Sequence, residues 1–234
     1  MSADSLHDLT NPAVAALTGE RWAIMEAAQL VPARPGLYAI YGDEQAWRDL
    51  QLEPAPDHPL YVGKAEESLV SRDLNGHFAT NPKSKPRTGG STVRRSFAAL
   101  LRDFLDLHAV PRNLAKPERF ANYALADGGD ARLNEWMHAR LQLSVWPAPA
   151  DMRVPLGDVE TSVIVRLTPP INLDKNPGRL PGSRLLEPRW PPRPPRGAPR
   201  AERHRGTRDH RYSARDTRLG AVDRARCTAA TRAD

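Results

Sequence analysis

The chain carries one cysteine, Cys227, in 234 residues. A lone thiol excludes an internal disulfide framework and any cysteine-rich zinc site. The opening residues, MSADSLHDLT, lack the basic and apolar blocks of a secretory leader, so a cytoplasmic protein is expected. No apolar run approaches the roughly 18 residues that a membrane-spanning helix needs. Internal repeats are missing, as are a phosphate-binding glycine loop, an HExxH pair and a nucleophile elbow, and several common enzyme classes go with them.

Net positive charge is largely missing from the part of the chain able to fold. The formal total is +6, yet residues 176–234 hold 15 arginines, no lysine and 6 acidic residues. The remainder has 19 basic and 22 acidic side chains and is slightly acidic. The total is therefore no argument for a basic nucleic-acid-binding fold. Past residue 176 there is also no Lys, Ile, Phe, Met, Asn or Gln. Such a segment buries too little apolar surface to offset its ordering entropy, so 177–234 is expected to be a disordered Arg/Pro-rich tail. It reads either as an electrostatic tether for nucleic acid or as an extension without a role.

What is left suffices for one domain with a real core. Residues 1–34 form an N-terminal helical segment, in which Asn11 is a possible cap and Pro12 stands at a first helical position. PGLYAIY at 35–41 and PLYVGKA at 59–65 each open on a proline and alternate bulky residues, as short strands do. Paired antiparallel in a suitable register, they put Tyr38 and Tyr61 on one face. EQAWRDLQL makes a short helix between them. SLVSRDLNGHF is helical over 68–78, and the Pro- and Gly-marked TNPKSKPRTGG is a loop. STVRRSFAALLRDFL opens on Ser91 as a cap and carries the apolar stripe Val93, Phe97, Leu100, Leu101 and Phe104. A helix over about 131–140 leads to the strand LQLSVWP. The last helix, LGDVETSVIVRL, stops at Thr168-Pro169-Pro170.

The polar residues on this framework come in a telling order: Tyr38 in GLY, Tyr61 and Gly63 in YVG, Lys64, Arg72 and His77 on a helix, Glu160 on a later helix, and Asn172 in PPIN. Over roughly 35–175 the chain resembles the GIY-YIG nuclease family. The resemblance implies an α/β domain over 35–176, with a small three-stranded antiparallel sheet flanked by helices. The chain departs from the family between His77 and Glu160, a stretch much longer than a minimal domain requires, which reads as a helical insertion at about 80–140. It implies a phosphodiester hydrolase that cuts DNA with one divalent ion, Mg²⁺ or Mn²⁺. Tyr38, Tyr61, Arg72, His77 and Glu160 would be catalytic, with Gly63, Lys64 and Asn172 in support. A homodimer is left open. The competing reading is a catalytically silent nucleic-acid-binding or protein-interaction module on the same fold.

The side chains can be tested against those roles on physical grounds. Glu160 is in line with Ile164 and Leu167, so its carboxylate lies on or beside the inward face of its helix and needs a partner there. It is either a ligand of a largely hydrated Mg²⁺ or a first-turn carboxylate favoured by the helix dipole. The Arg72 guanidinium matches phosphate oxygens, though a surface arginine on a helix looks the same. His77 is a proton carrier, a phosphate donor or a satisfied helix-end histidine. Five residues of α-helix would set Arg72 and His77 about 140° apart, so that both reach one site only from its edges. A phenol with a pKa near 10 acts as a base at neutral pH only beside a cation such as Lys64, Arg72 or the metal. Tyr38 takes the base or water-orienting role and Tyr61 the supporting one, and the two are exchangeable. Gly63 lets the backbone approach closely, and Asn172 fixes the loop around the site. Arg94 and Arg95 flank the apolar stripe of the Ser91 helix and are expected to reach DNA phosphates.

Removal of residues 180–234 should leave thermal unfolding of the remainder unchanged while weakening salt-sensitive DNA binding. A large fall in melting temperature on truncation would show that the tail packs on the domain.

Overall fold

The computed structural model describes residues 5–112 and 123–177, apart from 82, 84, 127 and 173. The tail from 178 onward lies outside the described residues.

The central element is β2 (Gly36–Gly42), with all seven residues buried. On one side it pairs antiparallel with β3 (Tyr61–Ala65) and on the other with β6 (Leu141–Pro147). The two-residue β1 (Trp22–Ala23) adds to the far edge of β6, so the antiparallel sheet has the order β1-β6-β2-β3. The three strands expected from sequence are all present, and the fourth is this short edge. Two bonded residues give too short a run for any alternation to be visible.

Alternation along the strands sorts the core into two layers. Leu37, Ala39, Tyr41, Val62 and Trp146 face α1 (Leu6–Leu17) and α6 (Leu156–Leu167). Tyr38, Ile40, Ala65, Leu143 and Val145 face the opposite layer, together with Ile24 and Ala27 of α2 (Ile24–Leu30) and Ala46 and Trp47 of α3 (Glu44–Asp49). Leu133, Trp136 and Met137 of α5 (Gly129–Arg140) complete that side. A sheet hydrophobic on both faces needs cover on both, which is why β2 reads as a continuous apolar run broken only by glycines and tyrosines.

The N-terminal segment departs from expectation. Its first helix starts at Leu6, because Ser5 Oγ accepts from Asp8 N while Asp8 Oδ2 accepts from Ser5 N at 3.0 Å. That reciprocal cap satisfies the early donors, so Pro12 lies inside the helix rather than at its start. Chain direction then changes after Thr18 and Gly19, and Trp22 pairs with Leu143, which divides the expected helix in two.

The insertion is not wholly helical. It holds α4 (Thr92–Leu100), then an antiparallel pair of β4 (Ala109–Pro111) and β5 (Tyr123–Leu125), then α5. Ser91 caps α4 as expected, its Oγ accepting from Arg94 N at 3.1 Å. Val93, Phe97 and Leu101 are buried, but the helix ends at Leu100, and Phe104 beyond it is 58% exposed. No helix among the described residues is long and apolar enough to cross a membrane.

Arg94 corrects the expected DNA contact. Its side chain is wholly buried: Nη1 donates to His77 O at 2.8 Å and Asn134 Oδ1 at 2.9 Å, and Nη2 donates to Asp130 O at 3.0 Å. An ion pair with Asp130 Oδ1 at 3.3 Å completes the set. A guanidinium held in this way joins α4 to α5 and is not presented to a phosphate. Sequence spacing placed it beside the apolar stripe but gave no sign of an internal acceptor set 17 to 40 residues away. Arg95 is half-buried, donating to Gly89 O and Thr92 Oγ1 at 3.1 Å each.

Arg94→Ala removes the cation from this acceptor set and is expected to lower the free energy of unfolding by about 3 kcal/mol, read from denaturant midpoints at constant m-value. A loss below about 0.5 kcal/mol, the level of an ordinary surface substitution, would contradict the structural role.

Candidate active site

The β2–β3 register pairs Tyr38 with Gly63 and Ile40 with Tyr61. Tyr61 and Gly63 share a face, so the two tyrosines stand diagonally across the pair with ring centroids 6.2 Å apart. A methyl group at position 63 would come within 2.5 Å of Tyr38 Oη and 2.9 Å of the Tyr61 ring. The glycine is there because the Tyr38 ring lies across the neighbouring strand, leaving no room for a Cβ.

A short helix follows β3, and it winds as a π-helix over Val70–His77, with Phe78 N bonding to Asp73 O at 2.9 Å. In i→i+5 winding a turn takes more than four residues, so residues five apart lie much closer around the axis than on an α-helix. The expected 140° separation of Arg72 and His77 therefore does not apply, and both line one cavity of about 600 Å³. The same cavity is lined by Tyr38, Tyr61, Lys64 and Glu160. The structure thus brings together all five residues expected to be catalytic, plus Lys64, from two strands and two helices.

Each group is held by specific contacts. His77 is buried, with Nε2 at 3.0 Å from Tyr38 Oη and Nδ1 at 2.7 Å from Ser91 Oγ. Glu160 is 8% exposed on the inward side of α6, and its Oε2 accepts from Lys175 Nζ at 2.8 Å. Lys64 Nζ is paired with Glu66. Arg72 is exposed. Asn172 mimics a strand: its Oδ1 accepts from Val62 N and its Nδ2 donates to Val62 O, both at 2.8 Å. One side-chain amide thereby satisfies both backbone groups of Val62 on the outer edge of the sheet and holds the chain after α6 against the strand of Tyr61.

The electrostatics follow from burial. Burial pushes the Tyr38 phenol well above its usual range, reinforced by Asp73, and Tyr61 is pushed up to about 12, first by burial and then by Glu160. Arg72 opposes both shifts, whereas Lys64 is engaged by Glu66, which raises its own pKa. Burial, then the charges of Arg72 and Arg94, hold His77 down to about 3, so its imidazole is neutral at physiological pH. Asp73 is fully buried, with neither carboxyl oxygen hydrogen-bonded among the described residues, and burial drives its pKa well up. A protonated carboxyl at Asp73 spares the site a buried unpaired charge.

Sequence reasoning missed Asp73, Ser91 and Lys175 as parts of this site. Asp73 stands four residues before His77 in RDLNGH, a helical spacing that could have linked them. Ser91 was visible only as a cap. Lys175 carried no sequence signal, because its reach to Glu160 depends on the turn after α6.

His77 makes stability depend on pH with a definite sign. Between about 3 and 6.5 the unfolded chain binds a proton at His77 that the folded chain does not, so this residue's contribution falls as pH is lowered through that window. The difference in unfolding free energy between wild type and His77→Gln should shift against the wild type from pH 6.5 to pH 3.5. Asp73 acts in the opposite direction but is present in both proteins. A pH-independent difference would mean that His77 titrates normally.

A family model described as the GIY-YIG catalytic domain matches residues 40–184. No curated protein and no solved structure matches the chain. The match begins within β2, covers β3, the π-helix, the insertion and α6, and takes in Tyr61, Arg72, His77, Glu160 and Asn172. With more than half of its length matched and the tyrosine strands, π-helix and Glu160 helix enclosing one cavity, the chain belongs to the GIY-YIG catalytic-domain family.

Proposed function

We propose that the protein is a metal-dependent endonuclease that hydrolyses DNA phosphodiester bonds. The observation that carries this reading is the convergence of Tyr38, Tyr61, Arg72, His77 and Glu160 on one open cavity. Among the described residues no three His, Cys, Asp or Glu side chains cluster as a metal site, so any ion here rests on Glu160. Glu160, a nearly buried carboxylate facing a cavity with room for water, fits a mostly hydrated Mg²⁺ or Mn²⁺, an ion that keeps several waters and takes one or two carboxylates. Such an ion, when bound, supplies charge neutralisation at the phosphate and at the leaving 3′ oxygen.

The protein's own groups do the rest. Arg72, exposed at the rim, offers a forked pair of donors to the nonbridging phosphate oxygens. Tyr38 orients the attacking water and, once its own phenolic proton has passed to water in the cavity, takes a proton from it, with His77 Nε2 as the hydrogen-bond partner of its oxygen. Because burial holds the phenol protonated, the base forms only when positive charge enters beside it. Arg72 is the resident source of such charge, and cleavage is tied to a loaded site. Tyr61, at the cavity wall, supplies a second hydroxyl to the same water or phosphate.

Glu160→Gln preserves shape and removes the charge. The variant should fold, retain DNA binding, and lose nicking of supercoiled plasmid by on the order of 10³ or more. Its melting temperature should cease to respond to Mg²⁺, because a ligand that binds only the folded state stabilises it by mass action. Nicking within about tenfold of wild type would remove Glu160 from the chemistry. A wild type that binds DNA but leaves plasmid intact with either metal would identify a binding module instead.

A further inference from the structure

The insertion reaches the His77 ring through the Ser91 hydroxyl. Ser91 Oγ lies 2.7 Å from His77 Nδ1, and His77 Nε2 lies 3.0 Å from Tyr38 Oη. All three residues are at least 98% buried. A neutral imidazole has one N–H, so it donates from one nitrogen and accepts at the other. Two arrangements are possible, and hydrogen-bond bookkeeping separates them. Ser91 Oγ already accepts the backbone N–H of Arg94 at 3.1 Å. Were it also to accept from Nδ1–H, its own buried hydroxyl hydrogen would have no acceptor among its described contacts. In the other arrangement Ser91 O–H donates to Nδ1, Nε2–H donates to Tyr38 Oη, and Tyr38 keeps its O–H for the cavity. Every polar atom then has a role.

We infer that Ser91 is a positioning residue that fixes His77 as its Nε2–H tautomer, so that the imidazole donates to Tyr38 and supports the phenolate when it forms. The inference rests on the nuclease reading for its catalytic consequence but not for the tautomer itself. It gives the insertion a second task besides building its own core. The N-terminus of α4 is held to His77 from two sides, by Ser91 Oγ on the ring and by Arg94 Nη1 on the carbonyl at 2.8 Å. A shift of that helix would therefore change the hydrogen bond that Tyr38 receives.

Glycine caps a helix nearly as well as serine but lacks the hydroxyl, and threonine restores both, so Ser91→Gly and Ser91→Thr separate the tautomer from the cap. Two-bond ¹H–¹⁵N correlation spectra of the full chain, with His77 assigned by its loss in His77→Gln, should show the Nε2–H tautomer in wild type and Ser91→Thr. Ser91→Gly should show a mixture or the Nδ1–H form. Plasmid nicking should fall by about tenfold or more in Ser91→Gly and return towards wild type in Ser91→Thr. An Nδ1–H wild-type imidazole, or a tautomer unchanged in Ser91→Gly, overturns the inference. A wild type that does not nick DNA overturns the nuclease reading, and the spectra still decide the role of Ser91.

Discussion

The antiparallel register that sets Tyr38 opposite Gly63 is the constraint on which the site depends. Side chains on a strand repeat every second residue, so a slip of one position would send Tyr61 to the α1–α6 layer and bring a bulky neighbour under the Tyr38 ring. The register is secured from both sides. β6 pairs along the whole of β2, and Asn172 clamps the outer edge of β3 at Val62. Strands held in this way set the two phenol rings 6.2 Å apart.

Around that pair the protein has built a small buried polar network. Tyr38, His77, Ser91 and Arg94 are linked in series by hydrogen bonds, all below 2% or at 2% exposure. Buried polar groups are tolerated when satisfied and expensive when not. The network thus ties the π-helix, α4 and, through Asp130 and Asn134, α5 into one unit with the sheet. The insertion is for this reason part of the scaffold of the site.

The cavity holds both of its phenols protonated and its carboxylate paired with Lys175. Burial is the dominant cause for both tyrosines and for His77, and in each case it disfavours the charged form. A site of this kind gains basicity only as positive charge is added beside it. Arg72 is the residue already placed to contribute, while the Glu66 pair diverts Lys64.

Much of this was legible in the chain alone. The tyrosine strands, the common face of Tyr38 and Tyr61, the Ser91 cap, the inward Glu160 and the helix stop at Thr168 each follow from periodicities of two or 3.6 residues and from local backbone chemistry. Local rules failed where the determining partner was distant. Arg94 has the pattern of a surface arginine, and only the packing of α5 against α4 supplies the acceptors that bury it. Arg72 and His77 have an unfavourable α-helical spacing, and π-winding, stabilised by Leu74 and Phe78 in the core, brings them to one cavity. Asp73, Ser91 and Lys175 joined the site through contacts spanning 4 to 15 residues of separation that depend on how three turns are folded. The sequence by itself determined which side chains alternate across a strand or line a helix, because that is set by bonds between neighbours. Tertiary structure alone decided which polar atoms meet, because a hydrogen bond needs its partner within about 3 Å, and only the packed fold sets that distance.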